Sequence, residues 1–194
     1  MKPDEIYELA RLLTSPVVAV TSRKGEKRNG MITDGVVRAS IVPDIPRFLV
    51  LIHKLNLSHD LIYETGAFGL HILHEGQVDV VTALGFVSGR DKDKMAGIPH
   101  RLGPLGMPIL EDHVAAFECE VINAMDSGSS TIFLGEGKEV WKGTGRPMSP
   151  FYLRDHLPAD IKQSYAANLT YAQDWARARS RDLRPLVWRG LRGS

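Results

Sequence analysis

Cysteine is almost absent from this 194-residue chain: Cys119 stands alone, which excludes an intrachain disulfide. It lies in the alternating stretch Val114-Ala-Ala-Phe-Glu-Cys-Glu-Val121, where a small buried hydrophobe is expected rather than a redox thiol. Neither charge sign is in excess, with 24 Lys+Arg against 23 Asp+Glu and a formal net charge of +1. Such a balance offers no overall field for a nucleic-acid backbone or an anionic bilayer, and neither is expected as a partner. No apolar run approaches the roughly 20 residues that span a membrane, and the opening Met1-Lys2-Pro3-Asp4-Glu5 has no apolar signal core, so a cytoplasmic location is expected. The P-loop signature, the hydrolase nucleophile elbow and the glycine-rich dinucleotide turn are all missing, which leaves nucleotide hydrolysis, elbow-type hydrolysis and a Rossmann cofactor site without support. What is present is an ordinary globular composition, 43% apolar and 24% charged, sufficient for one sizeable core.

Charge divides the chain near residue 146. Residues 146–194 hold nine Lys+Arg and four Asp+Glu, against 15 and 19 in residues 1–145. The stretch opens on Pro147, Pro150 and Pro158, so the reading is a domain over 1–145 followed by a basic helical extension over 146–194. Ile6, Leu9, Ala10 and Leu13 share one helical face and predict a helix over 4–13, with Asp4 placed to cap it. Apolar and β-branched runs predict strands at 17–21, 36–41, 48–53, 68–73, 114–125 and 131–141, the last two joined as a hairpin through Asp126-Ser-Gly-Ser129. Short helices fit 58–64, capped by Ser58, and 77–83. Six strands with little helix between them predict a mainly β, closed barrel. In the extension, Ile161, Tyr165, Leu169, Ala172 and Ala176 predict a helix over about 160–180. Its aromatics Tyr165, Tyr171 and Trp175 fit packing on the barrel or on a second subunit, with cover of a pocket mouth as the alternative.

His71 and His74 have a ligand-like spacing, but residues three apart on a strand face opposite ways and no carboxylate or thiol cluster completes a site, so no metal is expected. Three segments carry more information. Arg28-Asn-Gly-Met-Ile-Thr-Asp-Gly35, with Ser40 downstream, is a polar, glycine-containing entry into a strand. His53-Lys-Leu-Asn-Leu-Ser-His-Asp60 runs from a strand into a helix start, where free N–H groups, the Ser58 hydroxyl and Lys54 suit a phosphate. Phe86-Val-Ser-Gly-Arg-Asp-Lys-Asp-Lys-Met95 is a second phosphate-holding pattern through Ser88, Gly89, Arg90 and Lys94. Taken singly, each also reads as a turn or a solvated charged loop.

In this order, with Gly66-Ala-Phe-Gly-Leu-His-Ile-Leu73, Gly106-Met-Pro-Ile-Leu110, Phe117-Glu-Cys-Glu-Val121, Asp126-Ser-Gly and Phe133-Leu-Gly-Glu136, the chain from about Pro16 to Gly143 resembles the flavin reductase-like family of FMN-binding split barrels. The resemblance implies an antiparallel Greek-key barrel, a homodimer with the flavin near the subunit interface, and FMN as cofactor. By position, Asn29, Met31, Ile32, Thr33, Asp34 and Gly35 would border the isoalloxazine. Ser40, His53, Lys54, Ser58 and His59 would lie about the ribityl chain and phosphate, joined by Phe86, Ser88, Gly89, Arg90 and Lys94. NAD(P)H would be the electron donor, and free flavin, a protein or a small molecule the acceptor.

The chain also departs from the family. Many of its reductases read Asn-Gly-Met-Thr where this one continues Ile32-Thr-Asp34-Gly35, which brings a carboxylate to the expected ring edge. Reductases commonly carry a histidine after the Asp-x-Gly turn to help hold the nicotinamide, and here Ser130 takes the matching stretch. A flavoredoxin-like electron carrier without its own nicotinamide site is therefore the alternative to a reductase. A flavin-binding module without turnover is a third reading. His53, Asp34 and Ser130 are candidates for tuning the flavin, and no side chain is assigned as acid or base, because hydride transfer requires none.

Overall fold

The structure is a computed structural model describing residues 1–189, apart from the side chain of Asp4; residues 190–194 of the extension lie outside the described residues. The chain runs α1 (Pro3–Ala10), β1 (Val18–Lys24), β2 (Lys27–Thr33), β3 (Val36–Arg38), β4 (Arg47–His53), α2 (Leu57–Thr65), β5 (Ala67–Ile72) and α3 (Val78–Gly85). It continues through β6 (His100–Leu102), β7 (Pro108–Leu110), β8 (Ala115–Asp126), β9 (Ser130–Lys142), α4 (Pro150–His156) and α5 (Ala159–Arg177).

Seven strands form one antiparallel sheet in the order β2-β1-β5-β8-β9-β4-β3, and β6 pairs with β7 separately. The sheet curls into a half-barrel whose hydrogen-bonded ladder does not close, which corrects the expectation of a closed barrel. Its two end strands, β2 and β3, are consecutive in the chain, and the two residues Asp34 and Gly35 carry the backbone across the split. The Gly35 carbonyl accepts from the Leu51 N–H at 2.9 Å, tying the crossing to β4.

Four elements were hidden from pattern reading: β2, β6, β7 and α4. Residues 27–33, expected as a polar entry, are strand β2, because Gly25 at φ 57° and Glu26 close a two-residue hairpin that fixes its register against β1. The small β6–β7 pair is held by a side chain instead of by its own apolar pattern: the buried Glu118 carboxylate accepts from the Leu105 and Met107 N–H groups, each at 2.9 Å. At the start of the chain, Pro3 occupies the first helical position, where its missing N–H costs nothing, so Asp4 falls inside the first turn rather than at the cap.

β1 is buried on both faces, which explains its unbroken apolar run. Val18 and Val20 face the barrel interior with Ile52, Phe68 and Phe133, whereas Val17 and Ala19 face a second cluster built with Leu73, Val81, Leu84 and Met148. Cys119 is fully buried in the first cluster, and burial pushes its thiol pKa up, as suits a packing residue. Trp188 of the extension also lies in the first cluster. Among the described residues no helix is long and apolar enough to cross a membrane.

His71 is fully buried on β5, its Nδ1 3.2 Å from the Ala19 carbonyl and its Nε2 accepting from the Leu110 N–H at 3.1 Å, while His74 pairs with Asp112 at 2.9 Å. The two imidazoles do not converge, and no group of three potential metal ligands occurs among the described residues. Burial lowers the His71 pKa to about 3. Below its ordinary value of 6.5 the unfolded chain binds a proton that the folded chain refuses, so stability is full above that pH and falls towards pH 3. Urea unfolding is expected to lose roughly 1 kcal/mol per pH unit over this window from His71 alone. An NMR titration in which the His71 ring protonates with a midpoint near 6.5 would contradict this.

Candidate functional site

β2, the start of α2, the loop after α3 and one face of α5 meet around a cavity of about 610 Å³. The pleat of β2 turns Asn29 and Met31 inward, and Gly30 between them lets Leu84 and Met95 approach: a Cβ there would come within 2.7 Å of Leu84 and 2.9 Å of the Met95 sulfur. α2 begins beside the cavity with Asn56 in an extended cap conformation; its carbonyl accepts from the His59 N–H at 3.0 Å, and the Leu57 and Ser58 N–H groups have no acceptor among the described residues. α3 ends at Gly85, after which Phe86 leads into Ser88-Gly-Arg90 on the cavity wall.

The polar groups here are incompletely paired. Asn29 is 2% exposed; its Nδ2 donates to Ser58 Oγ at 2.9 Å and its Oδ1 has no partner. Gly89 sits so close that a Cβ would be 2.0 Å from that oxygen, so only glycine fits. Lys94 is 7% exposed and donates to the Leu84 carbonyl at 2.6 Å, and among the described residues it has no carboxylate partner. Burial alone lowers its pKa to about 8. Arg90, about half exposed, holds Asp60 at 2.7 Å, and Ser88 Oγ accepts from the Arg90 N–H at 3.2 Å. A buried cation and the start of a helix on one cavity wall suit an anion.

A second cavity of about 400 Å³ shares Gly85, Phe86 and Tyr165 with the first and includes Ile32, Thr33 and Asp34. Tyr165 stands between the two, edge-on to Phe86 at 5.9 Å. Tyr171, Asn168, Leu169 and Ala172 extend this helical wall over the larger cavity.

The structure therefore brings together Asn29, Met31, Phe86, Ser88, Gly89, Arg90 and Lys94, with Ser58 linked to them through Asn29. Ile32, Thr33 and Asp34 sit in the neighbouring chamber; the Thr33 hydroxyl accepts from the Gly35 N–H at 3.0 Å, and Asp34 accepts from the Thr14 hydroxyl at 3.0 Å. Ser58 is not the helix cap: it lies one residue inside α2, fully buried, and its hydroxyl accepts from Asn29 instead of from a free backbone N–H.

The remaining residues are engaged elsewhere. Ser40 accepts from the Val42 N–H within the β3–β4 loop. The His53 ring packs against Trp175 at 5.1 Å, and Lys54 pairs with Asp126 at 2.7 Å. His59 lies 2.9 Å from the Thr131 hydroxyl and 3.3 Å from Asp60. Burial lowers the pKa of both histidines, so their neutral forms are favoured. Ser130, nearly buried, stands opposite His53 in the β4–β9 register. Pattern reading missed Leu55, Asn56 and Asn168 on the cavity wall. Leu169 and Ala172 were on the predicted apolar face of α5, and that face was the one usable signal.

These residues fit the phosphate of FMN: Lys94 and Arg90 supply cations, Ser88 and the start of α2 supply hydroxyl and N–H donors, and the Gly89 backbone permits close approach. A family model described as the flavin reductase like domain matches residues 10–159. A high molecular weight rubredoxin of Moorella thermoacetica is 35% identical over 125 residues, 63% of this chain and 54% of that protein, so the chain spans about half of its length. A ferric-chelate reductase (NAD(P)H) of Archaeoglobus fulgidus is 30% identical over 123 residues, 62% of this chain and 72% of that protein. Among solved structures, an FMN-binding protein from Thermus thermophilus with bound 1-cyclohex-2-enone superposes with a TM-score of 0.63 at 31% identity, over 69% of this chain and 77% of that one. With the match running through every element of the half-barrel, from the end of α1 into α5, this chain belongs to the flavin reductase-like family.

Proposed function

We propose that the chain is an FMN-dependent oxidoreductase, reduced by NAD(P)H and passing electrons to free flavin, a protein or a small acceptor. The observation that carries this reading is Lys94, a buried cation without a counter-ion on the wall of a cavity large enough for a nucleotide-sized ligand. When bound, the isoalloxazine supplies reversible two-electron chemistry. The chain's part is to hold and to shield. Lys94, Arg90, Ser88 and the first turn of α2 hold the phosphate; Ile32, Thr33 and Asp34 border the ring; Phe86 and Tyr165 restrict water and set what can lie beside it. The same reading makes the protein a homodimer. Val37, Leu49, Leu51 and Met125 are exposed apolar residues on the outer surface of β3, β4 and β8, a sheet face that a second copy would cover.

One observation favours a second reading, that of a flavoredoxin-like carrier. Tyr165 and Tyr171 of α5 wall the larger cavity, and Ser130 stands where reductases of the family carry histidine. An anaerobic visible spectrum of the FMN-supplied protein separates the two. Bleaching on addition of NADH or NADPH is the expected result; a spectrum that stays oxidised with both nicotinamides but bleaches with dithionite would overturn the reductase in favour of the carrier.

A further inference from the structure

The family model ends at residue 159, where α5 begins, yet α5 supplies one wall of the larger cavity. Every α5 residue is exposed or half-buried, so the helix is held at its ends and not by a buried face. Upstream of it, Met148 is fully buried, its N–H donating to the Leu73 carbonyl and its carbonyl accepting from the Val17 N–H, each at 2.8 Å. Downstream, the Trp188 indole lies in the barrel core. Between these anchors the helix meets the half-barrel through Tyr165, edge-on to Phe86 at 5.9 Å, and through Trp175, whose ring lies 5.1 Å from that of His53. Ten residues of helix, about 15 Å, separate the two contacts. Asn168, Leu169, Tyr171 and Ala172, within that span, line the cavity whose other walls carry Lys94, Ser88-Gly-Arg90 and the start of α2.

A helix laid across this cavity treats two kinds of phosphate differently. A phosphate monoester is a chain end: once its oxygens reach the donors on the barrel side, nothing more has to leave the cavity. A pyrophosphate-linked dinucleotide continues from the same phosphorus into a second phosphate and a nucleoside, which must pass the helix or displace it. Lifting α5 gives up the contacts at Phe86 and His53 and pulls the chain against both anchors, so the larger ligand is penalised by obstruction and the smaller one needs no added contact.

We infer that α5 makes the site selective for flavin mononucleotide over flavin adenine dinucleotide by closing the cavity beyond the phosphate. The inference rests on the proposed flavin reading, with the phosphate at Lys94, and gives α5 a part in specificity and none in the chemistry.

Calorimetric titrations of the full, flavin-free chain with FMN and with FAD test it. FMN is expected to bind about tenfold tighter or more. Leu169→Ala combined with Tyr171→Ala trims the wall on a helix without a buried face; it should bring FAD about tenfold closer to FMN while FMN affinity stays within about threefold. Hydrogen exchange on the unaltered chain gives a readout that needs no variant: FMN should slow exchange of the α5 amides, whereas FAD at concentrations that occupy the site should leave them exchanging faster than FMN does, because the helix is displaced. Equal affinity for the two flavins overturns this inference and leaves the flavin reading standing. The same holds for a ratio that the trimmed wall does not move while its helix content is intact, and for α5 protection that is equal under both flavins. Should the variant lose its helix, the exchange comparison decides. Binding of neither flavin overturns the flavin reading and this inference with it.

Discussion

Replacing Lys94 with methionine is expected to weaken FMN binding by roughly 10- to 150-fold, the equivalent of about 1.5–3 kcal/mol for a charge-assisted hydrogen bond, while the flavin-free fold stays within about 1 kcal/mol of its original stability. The two halves of this expectation have one cause. In the flavin-free chain the Lys94 ammonium is buried against the Leu84 carbonyl with no carboxylate to offset its desolvation, and burial lowers its pKa to about 8. Methionine fills similar volume without a charge to bury, which balances the donor lost at Leu84. A lysine kept for the fold would show the opposite pattern, with stability lost and binding spared. The pH dependence is equally specific. Above pH 8 the folded chain has given up a proton that the unfolded chain keeps to about 10.5, so the flavin-free protein gains stability as pH rises across this window. A bound phosphate would draw the proton back, so FMN affinity should fall as pH rises through 8, by up to about tenfold per unit, and Lys94→Met should flatten that profile. Titrations that stay flat between pH 7 and 9.5 in the unaltered protein would move the phosphate away from Lys94.

How far sequence reading reaches can be followed residue by residue. The β8–β9 hairpin was legible because its alternation is long and its Ser127-Gly128-Ser129 loop contains the one residue suited to φ 84°. β2 was not, because Arg28-Asn29-Gly30 has no apolar alternation: Arg28 pairs with Asp93, Asn29 lines the cavity, and Gly30 makes room for Leu84 and Met95, so local propensity gives no strand signal. Of the two phosphate patterns, the loop Ser88–Lys94 lines the cavity, whereas Lys54 and His59 in the other were diverted by partners far along the chain, Asp126 and Thr131. A motif gives residue types; it does not say which of them will find a closer partner. The predicted apolar face of α5 was real, but whether it met barrel or cavity depended on where the half-barrel put Phe86.

Trp188→Ala is expected to lower the stability of the whole protein by about 3–5 kcal/mol, the usual cost of truncating a buried large aromatic. Nothing in the sequence near residue 188 resembles a core strand or helix, yet the indole is only 5% exposed. It packs edge-on to Tyr63 and Phe133 at 5.6 and 5.9 Å and donates to the Val121 carbonyl at 2.9 Å. The truncation therefore removes packing from both α2 and β9 and strands a buried carbonyl on β8. Phenylalanine should recover part of the packing but not the hydrogen bond, leaving a loss of about 1–2 kcal/mol. The consequence for the cavity runs through the chain: residues 178–187 connect α5, which walls the larger cavity, to this anchor, passing Gly128 so closely that a Cβ there would lie 2.7 Å from the Arg179 carbonyl. If the anchor is part of the barrel core, Trp188→Ala should shift one cooperative urea transition, followed by circular dichroism, to lower urea. A separate early transition with the main midpoint unmoved would mean instead that residues 146–189 fold as their own unit and only rest on the barrel, and the helical wall over the cavity would then be free to open without cost to the core.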